Sequence, residues 1–154
     1  MKNRNIHYRK TIPALVIALV LGCFLPSPAV QADDSQTIVG LWNVHYFHGT
    51  VELFQSFEQW HSDGQEFEVA ALGPGAVCQG TFTQAGGNVE LNHVGWNFDQ
   101  NGVLTGFFRE TQTNTVNLDG SKYQGTFDIK NFDTSGNFLS EDSGTLKATR
   151  LPLP

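Results

Sequence analysis

Cys78 and His93 are the first residues whose types and spacing could do chemistry. They flank Ala85-Gly86-Gly87-Asn88, a tight-turn signal. A short hairpin there pairs Phe82 with Leu91, Gly80 with His93 and Cys78 with Gly95. Strand alternation then places Cys78, Phe82, Leu91 and His93 on one face, and Phe82 with Leu91 marks that face as inward. A thiol and an imidazole as diagonal neighbours can contact a ligand or donate to a metal. The plainer alternative is an inert buried thiol beside a hydrogen-bonded histidine. His61 could extend the pair to a set of His61, Cys78 and His93 suited to zinc or copper, but no close ligand spacing supports it. No metal and no other cofactor is therefore expected. His45 and His48 stand three apart on a strand, point to opposite faces and cannot grip one ion together.

Carboxylates are the second resource. Glu58 shares a strand face with Phe54 and Trp60, and Glu110 shares one with Leu104, Phe108, Val116 and Leu118. If those faces point inward, a carboxylate lies in an apolar interior and its pKa rises, so Glu110 and His93 are the candidates for acid–base catalysis. Glu52, Glu66, Glu68, Glu90, Glu141 and Asp142 are expected on solvated faces. The chain has no G-x-S-x-G, no phosphate-binding loop and no H-E-x-x-H.

Trp60-His61-Ser62-Asp63-Gly64 looks like a hairpin tip. A turn over residues 62–65 pairs His61 with Glu66 and sets Trp60 opposite Phe67. With Trp60 in the core, His61 and Glu66 face water as a surface ion pair worth little.

These residues need a scaffold of strands. The sequence shows no helical period after residue 38. Short alternating or aromatic-rich runs end in turn signals, which predicts strands over about 40–48, 51–61, 65–72, 77–84, 88–98, 103–117, 122–132 and 137–150. With no helices to cover it, an antiparallel meander of this kind buries its core by closing on itself. The expected fold is all-β, an eight-stranded antiparallel up-and-down barrel over residues 39–151, of a size that fills with side chains or holds one small ligand. Twelve Phe, three Trp and three Tyr suit either outcome.

Ahead of the barrel, Lys2, Arg4, Arg9 and Lys10 precede an apolar run from Ile12 to Leu25, and Val30-Gln31-Ala32 offers a cleavage site. Residues 1–32 thus read as a signal peptide helix and 33–38 as a short flexible lead-in. Val20-Leu21-Gly22-Cys23 offers lipidation at Cys23 as an alternative. Cleavage leaves a single cysteine, Cys78, and five basic residues against fifteen acidic ones. That balance argues against nucleic acid and anionic membrane surfaces. A periplasmic or secreted monomer is expected, with no transmembrane segment after cleavage.

Gly40-Leu41-Trp42 on the first strand and Thr149-Arg150 on the last resemble the calycin pattern of lipocalins and fatty-acid-binding proteins. In that superfamily a tryptophan plugs the barrel floor and an arginine packs across it. The resemblance implies a lipocalin-like barrel with Trp42 and Arg150 as its floor. WHSDGQEF (60–67), VCQGTF (77–82), LNHVGWNFDQNGVLTG (91–106), YQGTFD (123–128) and GTLKATR (144–150) further resemble a family of exported bacterial β-barrel proteins with no assigned activity. That implies fold and export, and no reaction.

The function expected on these grounds is a binding module for a small apolar or amphipathic ligand, with Trp60, Cys78, Phe82, Leu91 and His93 as contacts. The alternatives are a cavity enzyme with cyclase- or isomerase-like acid–base chemistry, and a periplasmic inhibitor or other protein-binding barrel.

Overall fold

The computed structural model describes residues 36–72 and 76–152. The expected signal peptide, the Cys23 lipidation site and residues 73–75 lie outside them. Among the described residues, no helix is long and apolar enough to cross a membrane.

The strands are β1 (Gly40–His48), β2 (Val51–Trp60), β3 (Gln65–Ala70), β4 (Val77–Ala85), β5 (Asn88–Phe98), β6 (Leu104–Val116), β7 (Lys122–Asp133) and β8 (Phe138–Arg150). Each pairs antiparallel with the next, and β8 pairs back onto β1, so the sheet is a closed barrel with no free edge. Aspartates build three of its connections. Asp99 accepts backbone N–H groups of Asn101 and Val103, Asp119 that of Ser121, and Asp133 those of Ser135 and Asn137. All three carboxylates are held below their usual pKa, Asp99 by the Val103 and Asn101 N–H groups, Asp119 by the Ser121 side chain and then its N–H, and Asp133 by the Asn137 side chain and then its N–H.

One end is sealed. Trp42 is fully buried and donates its indole N–H to the Ile38 carbonyl at 2.7 Å. The Arg150 guanidinium lies 4.2 Å from the Trp42 ring centroid, a cation–π contact. It also donates to the carbonyls of Val39 and Gly120, each at 2.6 Å, and to that of Thr37. Residues 36–38 are therefore part of the plug and not a flexible lead-in: Ile38 is fully buried, and its N–H donates to the Gln84 side chain. One arginine ties both chain ends of the barrel to the β6–β7 turn.

The two central hairpins differ in how they met expectation. The β4–β5 register pairs Phe82 with Leu91, Gly80 with His93 and Cys78 with Gly95, as expected. Gly80 is needed there: a Cβ would fall 2.4 Å from the His93 Cβ and 2.3 Å from the Asn92 carbonyl oxygen. The β2–β3 register is one residue away from expectation, pairing Trp60 with Glu66, Gln59 with Phe67 and Glu58 with Glu68. The loop spans Ser62-Asp63-Gly64 only, closed by His61 N–H on the Gln65 carbonyl at 2.8 Å, with Gly64 at φ 85°. That is the three-residue hairpin whose last position is left-handed. A one-residue slip exchanges faces. Glu66 and Glu68, expected in solvent, are buried; Phe67 is exposed.

The outer wall carries apolar side chains toward the end opposite the floor, with Phe57, Val69, Val77, Trp96 and Phe138 all more than half exposed. β6 alternates as expected from Gly106 to Val116, but Leu104 lies past a register shift and Leu118 in the β6–β7 turn, and both are exposed.

Candidate functional site

The lower barrel is filled. Trp42, Val44, Tyr46, Trp60, Val89, Leu91, Val116, Tyr123, Phe127, Leu146 and Ala148 form one core with Ile38. Trp60 meets Phe82 edge-on at 5.0 Å, so three of the expected ligand contacts, Trp60, Phe82 and Leu91, are packing residues of this layer.

Polar side chains take over above it. Glu58, fully buried on β2, is ringed by donors: the Tyr46 hydroxyl at 2.8 Å, the Trp60 indole N–H at 3.0 Å and the Tyr123 hydroxyl. The Gln112 amide donates to the Tyr46 hydroxyl at 2.8 Å and to Glu110 at 2.9 Å, and is itself held by Asn114 at 2.8 Å. Burial, then the neighbouring Glu68, pushes Glu58 up to about 7, against the pull of the two tyrosines. Burial first, and then nearby carboxylates, also keep Tyr46 and Tyr123 protonated far above their ordinary pKa, so both remain donors.

His93 on β5 organises a second cluster. Its Nδ1 is 3.2 Å from Glu66 Oε2, and its Nε2 is 3.0 Å from Glu110 Oε2 and 3.9 Å from Glu68 Oε2. The approach to Glu110 is close enough for charge pairing but too far off the ring N–H direction for a hydrogen bond, so Nε2 has no hydrogen-bond partner. Glu66 Oε1 and Glu68 Oε1 also lack partners. Burial alone would lower the His93 pKa. The carboxylates of Glu110 and Glu66 outweigh it and hold the imidazole well above its ordinary value. Burial raises Glu66 to about 7 despite His93, and raises Glu68. Cys78, paired in register with Glu68, is a free buried thiol held high by burial and then by Glu68.

A cavity of about 210 Å³ at the end opposite the floor reaches down to this cluster. Glu68, Cys78 and Glu110 form its polar base, Phe54, Phe108 and Ile129 its apolar wall, and Asn97, Asn131 and Asp142 stand around it. The structure thus brings His93, Cys78 and Glu110 together, as the strand faces suggested. It does not bring in His61, whose ring sits at the hairpin tip against the exposed Phe67. Its place beside Cys78 and His93 is taken by Glu68. Glu66 and Glu68 are the functional candidates that the sequence reading missed. The signal was the Asp-Gly pair of a three-residue turn, which sets the register that turns them in.

No protein-family model matches this chain, nor does any curated protein or solved structure.

Proposed function

We propose that this protein is an exported, lipocalin-like barrel that binds one small amphipathic ligand at its open end. The single observation that carries the reading is the 210 Å³ cavity, apolar on its wall and acidic at its base. A volume below the usual range of drug-sized pockets selects a compact ligand. Its cationic or hydrogen-bond-donating head would face Glu68 and Glu110, and its apolar body Phe54, Phe108 and Ile129. The leader-like residues 1–32 support export, and the Trp42–Arg150 plug supports the lipocalin-like reading.

Mass spectrometry of the purified protein for retained small molecules, together with titration by fluorescent probes bearing either a carboxylate or an amine head, tests this. Retention of one compound, or amine-probe binding that weakens more than tenfold in Phe108→Ser, is expected. No retained compound and no binding of either probe class would overturn the proposal.

A further inference from the structure

The base of the cavity holds more donors than protein partners. Among the described residues, one group of metal-capable side chains stands out: Glu68, Cys78 and His93, all buried, with donor atoms within 4.8 Å of one another. Three strands supply them, and Glu68 pairs with Cys78 across β3 and β4 while Gly80 brings β5 close. Proximity alone would not make a site. The second observation is an unpartnered nitrogen aimed into it. His93 Nε2 has no hydrogen-bond partner although His93 is only 2% exposed, and it lies 3.9 Å from Glu68 Oε2; Glu68 also leaves its Oε1 without a partner. Leaving such atoms unsatisfied is costly unless something occupies the space between them.

The orientation of His93 is also that of a metal ligand. Its Nδ1 is engaged by the Glu66 carboxylate at 3.2 Å, and its Nε2 is left for the cluster. A carboxylate on the far ring nitrogen fixes the tautomer that coordinates and raises the basicity of the imidazole. A tetrahedral ion with bonds of about 2.0–2.3 Å requires donors roughly 3.3–3.6 Å apart. The separations from His93 Nε2, 3.0 Å to Glu110 Oε2 and 3.9 Å to Glu68 Oε2, bracket that range. One imidazole, one thiolate and carboxylate oxygen form a borderline donor set that suits Zn2+ and takes Co2+ as a stand-in. A dication would also offset the carboxylates of Glu66, Glu68 and Glu110, which share this interior with a single histidine.

We propose that the base of the cavity is a zinc-type metal site in which Glu68, Cys78 and His93 are the ligands, Glu110 takes the fourth position and Glu66 is a positioning residue. The site does not depend on the organic ligand proposed above: the ion binds with the cavity mouth empty, and an ion and a cationic head compete for Glu68 and Glu110.

The test uses the purified protein stripped with a chelator and titrated with Co2+ alone, then Zn2+ alone. The expected result is one Co2+ per chain, tetrahedral ligand-field bands with a thiolate-to-cobalt charge-transfer band, and displacement by one Zn2+ with a rise in thermal midpoint. Cys78→Ser should abolish the charge-transfer band. Glu68→Gln should weaken Co2+ binding more than tenfold while the protein stays folded. Glu66→Gln should weaken it about tenfold without altering the band pattern, and His61→Ala should change nothing. The inference is overturned if a protein with intact far-ultraviolet circular dichroism binds no stoichiometric Co2+, or if the charge-transfer band survives in Cys78→Ser. Probe titration in the absence of metal separates the two proposals. Metal binding without probe binding sinks only the ligand reading, and probe binding without metal binding sinks only this one.

Discussion

Glu58 and Glu68 stand opposite one another on adjacent strands, both point into the barrel, and both are almost wholly buried. Their surroundings differ completely. Glu58 sits among hydroxyl and indole donors, with both oxygens accepting, and is sealed below by the apolar core. Glu68 leaves one oxygen without a partner and faces a cavity, a thiol and an imidazole nitrogen that also lacks a hydrogen bond. A carboxylate that the fold has satisfied is a structural element, however odd its location. A carboxylate the fold has buried with an oxygen unpartnered has room for a partner from outside the chain, water included.

The largest effect expected from this contrast is on Glu58→Ala. It would strand the Tyr46 and Tyr123 hydroxyls and the Trp60 indole N–H in a dry layer and open a void among them. The expected loss is about 3–5 kcal/mol, read by urea unfolding. A loss under 1 kcal/mol would mean that the donors around Glu58 find other acceptors and that the nest is not structural.

The pH profile sharpens the same comparison. Glu58 titrates near 7 in the folded barrel, raised by burial and by Glu68 against the donors Tyr46 and Tyr123 and the charge of His93. Its ordinary value is 4.5. The folded state therefore holds a proton that the unfolded chain releases earlier. The stabilisation is complete below about pH 4.5 and is lost as pH rises through 7, a change of roughly 3 kcal/mol from this residue. Stability measured by urea unfolding should fall between pH 5 and 8, and Glu58→Gln should flatten that slope. A wild-type slope of the opposite sign, or one unchanged in Glu58→Gln, would show that Glu58 is ionised throughout.

These features were legible in the sequence to different degrees. The strand limits and the β4–β5 pairing could be read because glycine- and aspartate-rich turns mark them and because Phe82 and Leu91 declare their face, whereas the contact of Trp42 with Arg150 was expected only from the resemblance of Gly40-Leu41-Trp42 and Thr149-Arg150 to the calycin pattern. The β2–β3 face could not be read from hydrophobicity, since β3 runs Gln65-Glu66-Phe67-Glu68-Val69-Ala70 with its carboxylates inward and Phe67 and Val69 outward. An expectation of apolar interiors misplaces that strand by itself. Only the turn geometry at Gly64 gives the register, and it does so through a single residue of loop length. The role of residues 36–38 was hidden for another reason. Their polar neighbours give no sign that Arg150, more than a hundred residues away, collects the carbonyls of Thr37 and Val39.

The smallest effect is expected on Glu68→Gln, and its sign matters more than its size. This change breaks no hydrogen bond at Glu68 Oε1, and the Gln amide keeps an acceptor oxygen beside Ser56 and Cys78. It removes a buried carboxylate whose pKa is already raised by burial, and relieves the repulsion that helps push Glu58 upward. Removing a poorly paired buried charge is commonly neutral or stabilising. In the metal-free protein at pH 8, Glu68→Gln should therefore change stability by less than about 1 kcal/mol, toward greater stability, while Glu58 titrates closer to its ordinary range. The same substitution should abolish the gain in thermal midpoint that Zn2+ gives the wild type. A metal-free loss as large as that of Glu58→Ala would erase the distinction between the two carboxylates. It would make Glu68 a part of the scaffold, held by partners within the barrel.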